Sequence, residues 1–266
     1  MPGAAGLAEA ADENFVVHAT WTTAQLAGAQ VEAGPDLVVA DSGLPSDTFN
    51  LACRARIPAG RVPGRIAAVI RHFRAAARPF SWWVGPADRP GDLGAHLVAA
   101  GLEPAESELA MAAELAALPS PGSPPSGLAV RRVASPDELR DYARVNAANW
   151  DPPDQDVLRF YEQAAAFVLR PGAPQWYFIG YCEGEAVATA ELTVGGGVAG
   201  LYGVSTLASH RRRGFGTALT LRPLLDARAA GLTRAVLQAS ADGAPVYRRL
   251  GFEAFGAITE YKPRQG

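Results

Sequence analysis

The chain has 266 residues, 27 acidic against 24 basic side chains, and 48% apolar residues. Domains run to roughly 100–200 residues, so this length allows two of them or one large one, and a charged share of 19% excludes a disordered polyelectrolyte. A formal net charge of −3 lacks the broad positive footprint of nucleic-acid binders, so no nucleic-acid partner is expected.

Only Cys53 and Cys182 occur, too few for a disulfide framework or a thiolate metal centre. His18, His72, His96 and His210 are scattered without ligand spacing, so no metal is expected. Glu9, Asp12 and Glu13 sit where a signal peptide would be basic and then apolar. No run of about 18 apolar residues suggests a membrane span. The expectation is a cytoplasmic protein, monomeric or homodimeric, that meets no membrane.

In chain order, residues 1–118 read as a first domain. Arg61-Val62-Pro63-Gly64-Arg65-Ile66 leads into a helix with Ile66, Val69, Ile70 and Phe73 at helical spacing. Residues 80–86, with Trp82 and Trp83, read as a strand, and the tryptophans as core or domain interface. A helix over 93–100 ends at Gly101, and residues 108–115 suit either a strand or an alanine-rich helix. Residues 119–127, Pro-Ser-Pro-Gly-Ser-Pro-Pro-Ser-Gly, lack backbone donors and bulk and read as a linker.

The second domain, 128–266, begins with a strand over 128–133. Ser135-Pro136-Asp137-Glu138 opens a helix to about residue 148, with proline and acidic residues suited to its first turn. A loop holding Trp150, Asp151 and Asp154 precedes a helix over 154–169. Strands follow at 176–182, 186–194 and 198–206, the last two joined at Gly195-Gly196-Gly197. A helix over 214–230 contains Pro223, which should kink it or mark an early boundary. A strand at 235–238 and a short helix at 245–250 follow, with Asp242 as candidate N-cap and Gly251 as terminator. One or two strands close the chain over 253–262.

The most informative segment is Val204-Ser205-Thr206-Leu207-Ala208-Ser209-His210-Arg211-Arg212-Arg213-Gly214-Phe215-Gly216-Thr217. A strand ends, a basic glycine-containing turn follows and a helix starts. Helix N-termini expose unpaired N–H groups with partial positive charge, and glycine lets an anion approach, so the segment suits a phosphate or pyrophosphate. The plain alternative is a solvated basic patch. No Gly-Lys-Ser/Thr follows, so it is not a P-loop, and a dinucleotide fingerprint would need a third glycine.

Arg211-x-x-Gly214-x-Gly216 after a strand, followed by Val246-Tyr247-Arg248-Arg249-Leu250-Gly251-Phe252, resembles the coenzyme A loop and tyrosine-bearing helix of the GNAT-type N-acetyltransferase superfamily. The element order of 128–266 fits that family. The resemblance implies an α/β (α+β) fold with two tandem GNAT-like domains, each a mixed, mostly antiparallel sheet flanked by helices. In the first, Arg61-Val62-Pro63-Gly64 lacks the second glycine, and residues 99–102 mimic the helix-to-Leu-Gly-Phe turn, so that domain reads as degenerate with its cofactor site lost.

The resemblance further implies acetyl transfer from acetyl-CoA to a small-molecule or peptide amine, by direct attack on the thioester. The alternative is an acyl-CoA-binding sensor or scaffold without turnover. The implied cofactor residues are Val204, Ser205 and Thr206 along the pantetheine arm, and Arg211, Arg212, Arg213, Gly214, Phe215, Gly216 and Thr217 around the phosphates. Ser240 and Asp242 lie near the same path, though turn-making and capping explain them equally. Tyr247 matches the family position for the acid facing the leaving thiolate, or else anchors its helix. Glu191, mid-strand and on the face opposite Ala190 and Leu192, is a candidate general base through water, or an outward residue. Tyr202 is a second candidate or a packing residue. Trp150 and Asp151 are candidate acceptor-pocket residues, or surface.

Overall fold

The computed structural model describes residues 4–120, 122 and 125–264. The first half comprises α1 (Ala4–Thr20), β1 (Gln30–Ala33), β2 (Val38–Asp41), β3 (Leu51–Cys53), α2 (Val62–Ala75), β4 (Ser81–Val84), α3 (Leu93–Ala99) and β5 (Leu102–Glu114). The second comprises β6 (Leu128–Arg132), α4 (Pro136–Ala147), α5 (Gln155–Val168), β7 (Gln175–Cys182), β8 (Glu185–Gly195) and β9 (Val198–Thr206). It ends with α6 (Phe215–Ala229), β10 (Arg234–Ala239), α7 (Ala244–Arg249) and β11 (Glu253–Pro263). Residues 108–114 resolve to strand, and the closing segment is one strand with two register shifts. Helix α1 and strands β1–β3 carry no strong local signal in the sequence. The described linker residues 119, 120, 122, 126 and 127 are exposed; Pro121, Ser123 and Pro124 lie outside the described residues.

Local chemistry sets the helix ends. Ser135 Oγ accepts from Glu138 N at 3.2 Å and the Glu138 carboxylate accepts from Ala134 N at 2.8 Å, satisfying two orphan donors at the start of α4. Asp154 caps α5 by accepting from Asp156 N at 2.7 Å. Gly251 and its first-half counterpart Gly101 both take left-handed backbone, φ 90° and 92°. Pro223 does not end α6: its buried neighbours Leu219, Leu224 and Ala227 pack into the largest core cluster and hold the helix through the lost hydrogen bond.

Among the described residues the eleven strands form one sheet, in the order β1-β2-β3-β4-β11-β5-β10-β9-β8-β7-β6. The halves do not merely abut. Strand β11 of the second half lies between β4 and β5 of the first, and β5 lies between β11 and β10. Each half therefore completes the other's sheet. Two adjacent strand pairs are parallel, β3–β4 and β9–β10, each bridged by a helix (α2, α6). The halves thus repeat one βαβ unit.

One face of the second half carries α6 and α7 over Ala188, Ala190, Leu192, Leu201 and Leu237. The opposite face carries α4 and α5 over Tyr177 and Ile179. Helix α1 also docks on β8 and β9. Asn14, fully buried, donates through Nδ2 to the carbonyls of Thr193, Gly195 and Val198 at 2.9–3.1 Å and accepts from the Tyr202 hydroxyl at 2.8 Å. Glycine at 200 is required there, because a Cβ would overlap the Asn14 side chain. Helix α2 with α3 builds a separate core on the first half around Phe73, Leu93 and the fully buried Trp82. Trp83 meets Phe15 of α1 edge-on at 5.9 Å, so both tryptophans are structural.

Candidate active site

The parallel pairing of β9 and β10 covers only residues 199–201 against 235–237. Beyond Leu201 and Leu237 the strands diverge. On its other edge β9 stays paired to β8, with a register shift between Thr189 and Glu191. The extra residue lies on β9, where Gly203 takes φ 55°, the backbone a glycine bulge needs. The divergence turns one edge of β9 from residue 202 onward away from any strand partner, leaving main-chain groups to face a ligand.

Below that edge lies a cleft of ≈ 1160 Å³. Val204, Ser205 and Thr206 form one wall, and Arg211, Arg212 and Gly214–Thr217 the floor. Chain reversal from β9 into α6 uses left-handed backbone at Arg212 (φ 59°) and Gly214 (φ 82°). Gly214 is the N-cap and brings no side-chain cap, so the first N–H groups of α6 remain available to an anion. A Cβ on Gly216 would meet no protein atom within 4 Å, which places open cleft against the helix start. Arg211 Nε donates to Thr206 O at 3.1 Å, tying the strand end to the loop.

Arg213 is not brought into the cleft. Its guanidinium lies over the Phe215 ring at 4.8 Å and reaches Cys182 Sγ at 3.6 Å. Burial of Phe215 at the helix start supplies this stacking platform, so Arg213 braces the turn and is not a lining residue of the cleft. Ser240 is also outside the lining; its hydroxyl accepts from Gly243 N at 3.2 Å, a turn-making role. Asp242 lines the cleft but caps nothing, since Gly243 is the N-cap of α7. His210 and Asn149 are lining residues that sequence reasoning missed. Asn149 Oδ1 accepts from Ser205 Oγ at 2.8 Å, latching the α4–α5 loop to β9.

Tyr247 stands at the cleft wall, packed on Phe252 with ring centroids 5.9 Å apart. Burial, and then the nearby Glu108 carboxylate, push its phenol up to about 12. The phenol is therefore a retained donor at neutral pH. Glu108 comes from β5 of the first half, and its own carboxyl is pushed up to about 7 by burial and by Glu106 and Glu260. No local motif marks Glu108, because only the strand exchange brings it beside Tyr247.

Glu191 does lie on the face opposite Ala190 and Leu192, but it is not an outward residue: it is 3% exposed. Its Oε1 accepts from Thr193 Oγ1 at 2.8 Å and Gln175 Nε2 at 3.3 Å, and faces His18 Nδ1 at 2.8 Å. Helix α1 covers it, with the His18 ring against its carboxylate. Tyr202 is a packing residue, bonded to Asn14 and stacked under His18 with centroids 3.8 Å apart. Trp150, 43% exposed, and exposed Asp151 lie on the loop outside the cleft lining.

The cleft is thus a strand pair that opens onto an uncapped helix start, walled by the half-buried Tyr247. The sequence model of the acetyltransferase (GNAT) family matches residues 137–252, within the second half. A GCN5-related N-acetyltransferase from Kribbella flavida superposes with a TM-score of 0.72 at 25% identity, covering 96% of each chain. A GCN5-related N-acetyltransferase from Sphaerobacter thermophilus gives 0.60 at 15% identity over 100% of this chain and 95% of the other. A tandem GNAT protein from the clavulanic acid biosynthesis pathway gives 0.58 at 17%, covering 86% of this chain and 79% of that one. Among curated proteins none matches the sequence.

The first half is GNAT-like as well, and its counterpart slot is filled. Past the β3–β4 pairing, Asp88 accepts from Ala55 N at 2.5 Å and Gly85 N at 2.6 Å. Backbone bonds Ile57 N to Arg89 O (3.0 Å) and Arg89 N to Ala55 O (2.9 Å) stitch the two loops together. The donors that β9 leaves open are thus consumed by the first half's own chain.

Proposed function

We propose that the second half transfers an acetyl group from acetyl-CoA to the amine of a small molecule or peptide. The observation that carries this reading is the opening between β9 and β10 onto the uncapped start of α6, with open space over Gly216. The residues present fit coenzyme A. The free edge of β9 at Val204–Thr206 suits the amides of a pantetheine arm, and the α6 N-terminus with Arg211 and Arg212 suits a diphosphate. Bound acetyl-CoA supplies the thioester. This chain holds it in line, which converts a bimolecular step into an effectively unimolecular one. Main-chain N–H groups at the bulge offer donors where negative charge develops. Tyr247 holds a proton at its hydroxyl for a leaving sulfur.

A cytoplasmic setting suits two buried, unpaired cysteines, and a net charge of −3 suits a small acceptor better than nucleic acid. The test is coenzyme A binding by calorimetry, followed by thiol release from acetyl-CoA across a panel of polyamines, amino acids, aminoglycosides and peptides. Saturable release with one class supports the reading. Tight binding without release from any acceptor favours a sensor or scaffold, and no binding removes the site.

A further inference from the structure

His18 lies in α1, contributed by the first half, and the family motif gives no reason to single it out. Its Nδ1 is 2.8 Å from Glu191 Oε1. A carboxylate only accepts, so a neutral ring carries its proton on Nδ1 and keeps the Nε2 lone pair. Nε2 has no hydrogen-bond partner among the described residues, and the side chain is 28% exposed while Glu191 is buried behind it. The array is braced: Thr193 and Gln175 bond to Glu191, and Gln175 Nε2 also donates to the His18 carbonyl at 2.9 Å. The imidazole stacks on Tyr202, the residue at which β9 parts from β10 and which precedes the bulge leading into the cleft wall. It sits on the sheet face opposite α6. If the thioester lies on the α6 side, as proposed above, an acceptor entering where β9 parts from β10 meets it from this face.

We propose that His18 is the general base of the acetyl transfer and that Glu191 is its positioning residue. The inference rests on the acetyltransferase reading above. The amine nitrogen forms the C–N bond to the acetyl carbon while Nε2 takes one of its protons. The C–S bond breaks, and the sulfur takes the Tyr247 hydroxyl proton. The His18 proton then passes through solvent to restore Tyr247. The titratable groups facing His18 are Glu191 from β8 and Tyr202 from β9, with Tyr177, Tyr142 and Tyr161 behind Glu191. Burial pushes all four phenols up, so none of the four exchanges protons near neutrality.

Two measurements test this. Long-range proton–nitrogen NMR of the neutral His18 ring should show Nε2 unprotonated in the native protein, and Glu191→Gln should erode that tautomer preference. A protonated Nε2 in the native protein overturns the dyad whether or not any acetyl acceptor is known. Thiol release from acetyl-CoA, with the best amine of the panel or with water if no amine turns over, should fall by about 10²–10⁴-fold in His18→Gln. Coenzyme A affinity should be unchanged, and the acid limb of the pH–rate profile should vanish. Unchanged turnover in His18→Gln, or loss of that limb in Glu108→Gln instead, refutes the role of His18. Loss of coenzyme A binding by the native protein refutes the underlying function and leaves the NMR result standing.

Discussion

The sharpest test of the cofactor site is Gly216→Glu, because stability and binding should move in opposite directions. Gly216 is the second residue of α6, its backbone is helical, and a Cβ there would meet nothing within 4 Å. Replacing glycine in a helix gains at most about 1 kcal/mol, and an acidic side chain in the first turn adds roughly 0.3–1 kcal/mol. In a chain of this size 1 kcal/mol moves the melting temperature by about 2–4 °C, so the variant should melt at or above the parent temperature. The same carboxylate would sit where we propose the diphosphate binds. Two charges 4 Å apart repel by about 1 kcal/mol in water and about 4 kcal/mol at an effective dielectric of 20. Coenzyme A affinity should therefore fall by about fivefold to nearly a thousandfold, with steric exclusion added. Gly216→Ala is the control: equal or better stability and a much smaller affinity loss. Calorimetric titration with coenzyme A and a melting curve decide the matter. Parent affinity in the glutamate variant would refute the placement of the phosphates. Gly214 is the poorer probe, since its φ of 82° makes any side chain cost about 1–2 kcal/mol of folding as well.

Tyr247→Phe should lower kcat by about 10²-fold and leave coenzyme A affinity within a few-fold, measured by thiol release and calorimetry; an unchanged kcat would make Tyr247 only a packing residue. Asp88, pushed up to about 7 by burial and by Asp12, holds its proton in the folded chain over a range where the unfolded chain, near 3.8, has released it. Its contribution to stability therefore falls as pH rises from about 4 to 7 and is fully lost above. Asp88→Asn should flatten the urea midpoint against pH in that window; an unaltered slope would count against the buried plug.

Most of the second half was legible because its elements carry their own punctuation. Ser135-Pro136, Gly195–Gly197, Gly214 and Gly251 each fix an end through a cap or a positive φ. The cleft was legible for the same reason, since a strand, a glycine turn and a helix start lie together in sequence. What stayed hidden depends on distant partners. Asn14 and His18 acquire meaning only when α1 docks 170-odd residues away, on a hairpin whose Gly200 leaves room for it. Arg213 reads as a phosphate ligand until the buried Phe215 beside it offers a ring to stack on. The loss of the first slot was legible only in part. Pro63 and the missing glycine signal it, whereas the carboxylate that fills it comes from Asp88, 25 residues beyond.

The exchange of strands carries a consequence for the boundary between the halves. Residues 128–266 look sufficient for one domain, yet the fold gives β10 and β11 a common neighbour in β5, which lies before the linker. Removing 1–127 would strip hydrogen-bond partners from both strands, including the run from Arg234–Glu114 to Ala239–Leu109. It would also uncover Glu191 and the carbonyls of Thr193, Gly195 and Val198 that Asn14 satisfies. Each buried polar group left unpaired costs about 1–3 kcal/mol, against a total stability of about 5–15 kcal/mol. A fragment of 128–266 should therefore lack cooperative unfolding by circular dichroism and should not bind coenzyme A, and co-expression with 1–127 should restore both. A monomeric fragment that melts sharply and binds coenzyme A with the parent affinity would show that β5 and α1 are dispensable, and that the two halves are beads on a string.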